Sequence, residues 1–151
     1  MAELKLIALD ADDLAVISAH LQDALFRVGD LAWLPAQRRF AAVGNRFDWA
    51  EALKGEAQVA YVRRRAGLRF ERVLAAQLTG IDLAHKEKVL SLLAVAFEPS
   101  EPPAGSLILR FADGAGIRLQ VECIEAELKD LGPAWQTQSI PQHEAIPPRD
   151  A

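Results

Sequence analysis

The sequence predicts an α+β fold, mainly antiparallel sheet of about eight short strands with two helices. Three observations lead there. Apolar residues recur over most of the chain with a period of two, hairpin-length connections separate the runs, and only residues 11–24 and 122–131 carry helical spacing. Parallel sheet would need a long crossover between successive strands, which these connections cannot supply. Strands closed by a C-terminal helix also give the element order of a partly open barrel of pleckstrin-homology type, an analogy of order alone.

Taken in order, Leu4 to Leu9 reads as a strand halted by Asp10-Ala11-Asp12-Asp13. Asp10 is the expected N-cap, with Asp12 and Asp13 near the positive end of the helix dipole. Leu14, Ile17, Leu21 and Ala24 or Leu25 then form one stripe of a helix of about 14 residues. From Leu25 the period changes to two. Leu25 to Leu34 and Arg38 to Phe47 form a strand pair joined around Pro35-Ala36-Gln37, offering Trp33, Phe40 and Val43 to a core. Trp49 to Gln58 is a helical turn or a loop. Val59 to Arg64 and Gly67 to Leu78 read as a second hairpin turning at Ala66-Gly67, and Gly80 to Lys88 as a polar connection or a single helical turn.

The next strand presents Val89, Leu93, Val95 and Phe97 on one face, and the three prolines within 99–105 mark a surface loop. Leu107, Leu109 and Phe111 share a parity with Ile117, Leu119 and Val121, across a turn at Asp113-Gly114 where positive φ is expected. Glu122 to Leu131 reads as a closing helix with Ile124, Leu128 and Leu131 buried, Gly132 at C′ and Pro133 barring continuation. A single domain at 1–135 is expected, with Trp135 pinned to it and 136–151 a proline-containing mobile tail.

Length and composition fit that reading. A chain of 151 residues, 51% hydrophobic and 25% charged, with net charge −4, has room for one compact domain. It excludes wholesale disorder, collagen-like or coiled-coil structure and a generally basic nucleic-acid coat. Cys123 is the only cysteine, so no intramolecular disulfide can form, as in a reducing compartment. The N-terminus lacks the basic segment and apolar length of a secretory signal. The longest later apolar run, Val89 to Phe97, falls well short of the roughly 18 residues of a membrane span. A soluble cytoplasmic protein is expected.

Three stretches look familiar together: 4–14 (LKLIALDADDL) followed by Ser18-Ala-His-Leu-Gln-Asp, 64–73 (RRAGLRFERV) and 121–135 (VECIEAELKDLGPAW). They resemble a small bacterial family known as domain of unknown function 2948. The resemblance spans nearly the whole chain, and the last motif is the most specific. It implies a single-domain bacterial protein and brings no activity, substrate or catalytic residue.

The strongest functional signal is charge placement. Residues 61–72 hold Arg63, Arg64, Arg65, Arg69 and Arg72 against Glu71 alone, a local +4, while residues 1–24 and 121–151 each sum to −4. On a strand, Arg63 and Arg65 share one face and Arg64 the other, and the hairpin would bring Arg69 beside them. Clustered guanidiniums offer bidentate donors to phosphate or carboxylate. Arg63, Arg64, Arg65 and Arg69 are therefore the candidate residues for binding an anion or an acidic partner. The competing reading pairs these arginines with the protein's own Glu122, Glu125 and Glu127.

The expected function is a bacterial binding or interaction domain that engages an unknown protein or anionic ligand through this arginine-rich hairpin or an exposed sheet edge. A homodimer fits the same reading. The alternative is a small enzyme or small-molecule sensor with a cleft in which Arg69 or Arg72 holds an anionic group. Overall acidity and the lack of aromatics interleaved with the arginines disfavour nucleic acid.

No catalytic motif, cofactor fingerprint or metal-ligand spacing is present. His20, His85 and His143 are scattered, and Asp10, Asp12 and Asp13 lack the glycine and distal glutamate of a calcium loop. His20 fits a partly buried helix position. Cys123 fits a small core hydrophobe, and Trp49 and Trp135 flank irregular segments where an aromatic could also serve an interface.

Overall fold

The computed structural model describes residues 3–48, 61–132 and 135–137. Its strands are β1 (Lys5–Ala8), β2 (Leu25–Leu34), β3 (Arg39–Phe47), β4 (Tyr61–Phe70), β5 (Val73–Thr79), β6 (Val89–Pro99), β7 (Gly105–Phe111), β8 (Gly116–Val121), β9 (Ala126–Asp130) and β10 (Trp135–Thr137), with one α-helix, α1 (Ala11–His20). All pairings are antiparallel, and the strands follow the order β1-β9-β4-β3-β2-β6-β7-β8-β5, with β10 added beside β4. The α+β class and the antiparallel sheet agree with the sequence.

The first turn of α1 forms as its residues dictate. Asp10 is extended, and its Oδ1 accepts the Asp13 N–H at 2.8 Å. Leu14 and Ile17 are buried as α1 packs on β6 and β1, where Ser18 Oγ accepts the Val95 N–H at 2.9 Å. The helix spans 10 residues rather than about 14, because the chain turns at Asp23, whose φ is 64°. The pair β2–β3 meets across a 3-10 turn at Pro35–Gln37, and β7–β8 across one at Ala112–Gly114, with Asp113 and Gly114 at positive φ. Both connections were legible from their turn residues.

One core serves the whole sheet. Phe40, Ala42, Leu68, Phe70, Ala126 and Leu128 from β3, β4 and β9 join Leu107, Leu109, Phe111, Ile117 and Leu119 from β7 and β8 in a single cluster. Gly44 belongs to this packing, since a Cβ there would lie 2.5 Å from the Phe26 ring and from the Leu25 carbonyl. The sheet is not closed into a barrel. β1 and β5 stand at its two ends.

Other expectations need correction. The stretch read as a closing helix is β9, paired on one side with β1 and on the other with β4. Its inward positions are Ile124, Ala126, Leu128 and Asp130. Alanine and aspartate at two of these four positions hide the period of two, leaving Ile124, Leu128 and Leu131 to mimic a helical stripe. With that helix gone, nothing closes a barrel.

The second hairpin does not exist either, because β4 runs straight through Ala66 and Gly67 and pairs with β3 and β9, while β5 pairs with β8. Gly67 makes room for Leu131, whose Cδ1 would lie 3.2 Å from a Cβ, and the chain turns instead at Arg72, with φ 62°. Leu93, expected inside, is exposed because the β6–β7 register shifts between Leu92 and Ala94, and Leu92 is buried in its place. Of the expected tail, Gln136 and Thr137 pair with β4, and residues from 138 on lie outside the described residues, as does the stretch Trp49 to Gln58.

Candidate functional site

Alternation along β4 sends the arginines to opposite faces. Arg64 shares its face with Ala66, Leu68 and Phe70 of the core, and lies opposite Arg46 of β3. Charged groups can end a core only if each finds a counter-charge. Here Arg46 grips Asp130 of β9 with two bonds, Nε to Oδ1 at 2.9 Å and Nη2 to Oδ2 at 3.1 Å, and Arg64 Nε donates to Asp48 Oδ2 at 2.8 Å. Asp130 Oδ2 also accepts the Leu4 N–H at 2.7 Å, tying the first residues of the sheet to the network. Both guanidinium side chains are 4% exposed, and that of Asp130 is 0%. His20, at the end of α1, stands beside them. Burial and the Arg46 charge hold its pKa below the usual histidine value, against the pull of Asp48 and Asp130.

Arg63, Arg65 and Arg69 lie on the other face of β4 with Gly67. Arg63 is buried, its guanidinium 5.6 Å from the centre of the Phe47 ring and its Nε and Nη1 without a hydrogen-bond partner. Burial draws its pKa down to about 10, opposed by the charge of Asp23. Phe47 and Leu25 are buried too, but outside the main core cluster, so this end of the sheet is covered on both faces.

Arg69 is engaged by glutamates. Its Nε donates to Glu127 Oε1 at 2.9 Å and its Nη1 to Glu71 Oε2 at 2.9 Å. Glu71 also takes Arg39 Nε at 2.8 Å, and Lys5 Nζ lies 3.7 Å from Glu127. The hydrogen bond to Glu127 raises the Arg69 pKa. Burial disfavours the Glu127 carboxylate, yet Arg69, Lys5 and Lys129 together hold it below the usual range. Arg72 is similarly placed, 3.4 Å from Glu125 and 3.8 Å from Glu122.

Arg65 differs from the rest. It is half-buried, makes no ion pair or side-chain hydrogen bond among the described residues, and faces Asn45, whose buried Oδ1 has no partner. Lys129, exposed on β9 opposite Gly67, likewise makes no ion pair there. The outer face of β1, β9, β4 and β3 thus carries Lys5, Lys129, Arg65, Arg69 and Arg39 against Glu71 and Glu127, and both glutamates are already engaged. A cleft beside Arg65, bounded also by Arg27, Asp30 and Asn45, has a volume of about 10 Å³, room for one water-sized group.

The four candidate arginines therefore do not form one cluster. Arg64 is an inward structural partner, Arg63 stacks on Phe47, Arg69 serves a glutamate pair, and Arg65 makes no ion pair among the described residues. Sequence reasoning missed Arg46, Asp48 and Asp130. The signal for Arg46 was its parity with the inward Phe40 and Ala42, which sends its side chain to the core face.

Elsewhere, Cys123 is half-buried between β8 and β9, and His85 Nδ1 lies 3.7 Å from Asp82 on the surface. His143 and Trp49 lie outside the described residues. Among the described residues no group of three or more His, Cys, Asp or Glu is placed to hold a metal ion, and no helix is long and apolar enough to cross a membrane.

No curated protein and no solved structure matches the chain. A family model does, and its span from Leu4, whose N–H is held by Asp130, to His143 takes in every strand and both arginine faces. The chain belongs to the family described as protein of unknown function (DUF2948), matched over residues 4–143.

Proposed function

We propose that this protein is a binding domain of the bacterial cytoplasm that engages an acidic polypeptide partner through the outer face of β3, β4 and β9. One observation carries the reading: Arg65, half-buried on a central strand, makes no ion pair among the described residues. Lys129 stands diagonally across the β4–β9 ladder, within reach of the same partner group. A guanidinium held half-buried on a sheet loses part of its hydration, so a carboxylate arriving from a partner gains more there than at a fully solvated lysine. A cleft of water-sized volume beside Arg65 favours a surface partner over a small ligand.

The test is retention on immobilised poly-glutamate, with heparin as a second polyanion. The wild-type protein is retained and eluted by salt. The double variant Arg65→Glu with Lys129→Glu flows through, with a melting temperature within about 2 °C of wild type, since neither side chain makes an ion pair among the described residues. Equal behaviour of the two proteins on poly-glutamate would overturn the reading. Preference for heparin alone would point to a polyanion of another class.

A further inference from the structure

Leu131 is the first residue past β9, and its N–H donates to the Arg65 carbonyl at 2.8 Å, so it continues the ladder beside β4. Parity with Glu127 and Lys129 puts its side chain on the outer face. There it lies across Gly67, the β4 residue opposite Lys129. A Cβ on Gly67 would be 3.2 Å from Leu131 Cδ1, 3.6 Å from Cγ and 3.7 Å from Cδ2. Glycine inside a strand weakens it and marks a close approach. Here the approaching group is a leucine that is still 45% exposed. Single exposed apolar side chains are ordinary, but the setting of this one is not. Arg65 lies opposite it across the ladder and Lys129 two residues before it, and neither cation makes an ion pair among the described residues. Ile7 of β1, 57% exposed, repeats the arrangement one strand further out, sharing the outer face with Lys5, which stands opposite Lys129. The glutamate of this stretch, Glu127, is already taken by Arg69 and Lys5.

We infer that Leu131 is the apolar contact of the binding face, and that the partner segment lays an apolar side chain on it beside the carboxylate that meets Arg65 and Lys129. This rests on the function proposed for the face and names what the acidic partner also carries. Charge complementarity selects a carboxylate for the two cations, whereas a polyanion without apolar groups would leave Leu131 in water. An apolar side chain placed on Leu131 takes both out of water and excludes water from the ion pair next to it, which strengthens that pair. Binding energy concentrates in such contacts, where solvent is shut out around a few central side chains. Gly67 is a positioning residue, since a Cβ there forces Leu131 to shift from its place on the sheet.

Fluorescence anisotropy of the full chain with two labelled heptapeptides tests it, one of glutamates with a central leucine and one of the same charge with a central serine. The wild-type protein binds the leucine peptide about tenfold more tightly. Leu131→Ser, folded by circular dichroism, binds the two peptides alike, and Leu131→Met recovers the preference. Arg65→Glu with Lys129→Glu loses both peptides. A wild-type protein that is retained on poly-glutamate yet binds the two peptides equally would overturn the inference and leave the acidic-partner reading standing. A leucine preference that survives in Leu131→Ser would overturn it as well. A wild-type protein that poly-glutamate does not retain and that binds neither peptide overturns the reading itself, and this inference with it.

Discussion

Asp130 holds two arginines at once. It receives both arms of Arg46, and Arg64 Nε lies 3.8 Å away, all within the buried end of the core. Replacing it with alanine leaves the buried Arg46 guanidinium to share Asp48, 4.0 Å away, with Arg64. Breaking a buried pair in this way costs about 3–5 kcal/mol, well above the contribution of the intact pair relative to apolar residues. Asp130→Ala is therefore expected to lower urea-unfolding stability by that amount. Glu127→Ala, which releases a partly exposed Arg69, is expected to cost much less, on the order of 1 kcal/mol. Similar losses for the two would mean that the Asp130 network is hydrated. This residue was not legible as a site from the sequence, because an aspartate at an inward position has a meaning only once Arg46, 84 residues earlier, is known to face it.

Element identity follows whether local signals agree with what the rest of the chain supplies. The α1 cap, the Pro35–Gln37 connection and the turn at Asp113 and Gly114 rest on residues adjacent in sequence, and each formed where those residues place it. β9 and the straight run of β4 depend instead on neighbours far along the chain. β9 lies between β1 and β4, so both of its edges gain ladder hydrogen bonds that no local pattern announces. Gly67 carries the same lesson. Its lack of a side chain serves the approach of Leu131 and not a turn. The strand and helix readings of 122–131 agree that Leu128 is buried and part at Leu131, which only the helix would bury. As a strand residue facing the core, Leu128 is expected to cost about 2–5 kcal/mol when changed to alanine, whereas Leu131, 45% exposed, is expected to cost under about 1 kcal/mol. Denaturant midpoints for the two variants check this, and equal large losses would restore the helix.

At the scale of the molecule, the charge contrast that marked residues 61–72 resolves into an inner network that balances itself and an outer face that does not. The architecture that separates them joins its two halves along one ladder. The half built from β1, β9, β4, β3 and β2 meets the half built from β6, β7, β8 and β5 where Leu25–Arg27 pair with Val89–Ser91, and the Asp23 and Val28 N–H groups continue the contact by donating to the Leu92 and Lys88 carbonyls. A single ladder would let the halves unfold apart if each had its own core. They share one instead, and Phe26 spans it. Its ring lies over Gly44 on one side and meets Phe111 of β7 edge-on at 6.5 Å and 82° on the other. Truncating a buried phenylalanine costs about 3–5 kcal/mol, so Phe26→Ala is expected to move the urea midpoint strongly. Because the residue belongs to both halves, the transition seen by fluorescence, in which Trp33 reports β2, should shift together with that seen by far-UV circular dichroism. A fluorescence change that precedes the loss of ellipticity would mean that the second half stands without the first, and that the shared cluster is two cores in contact.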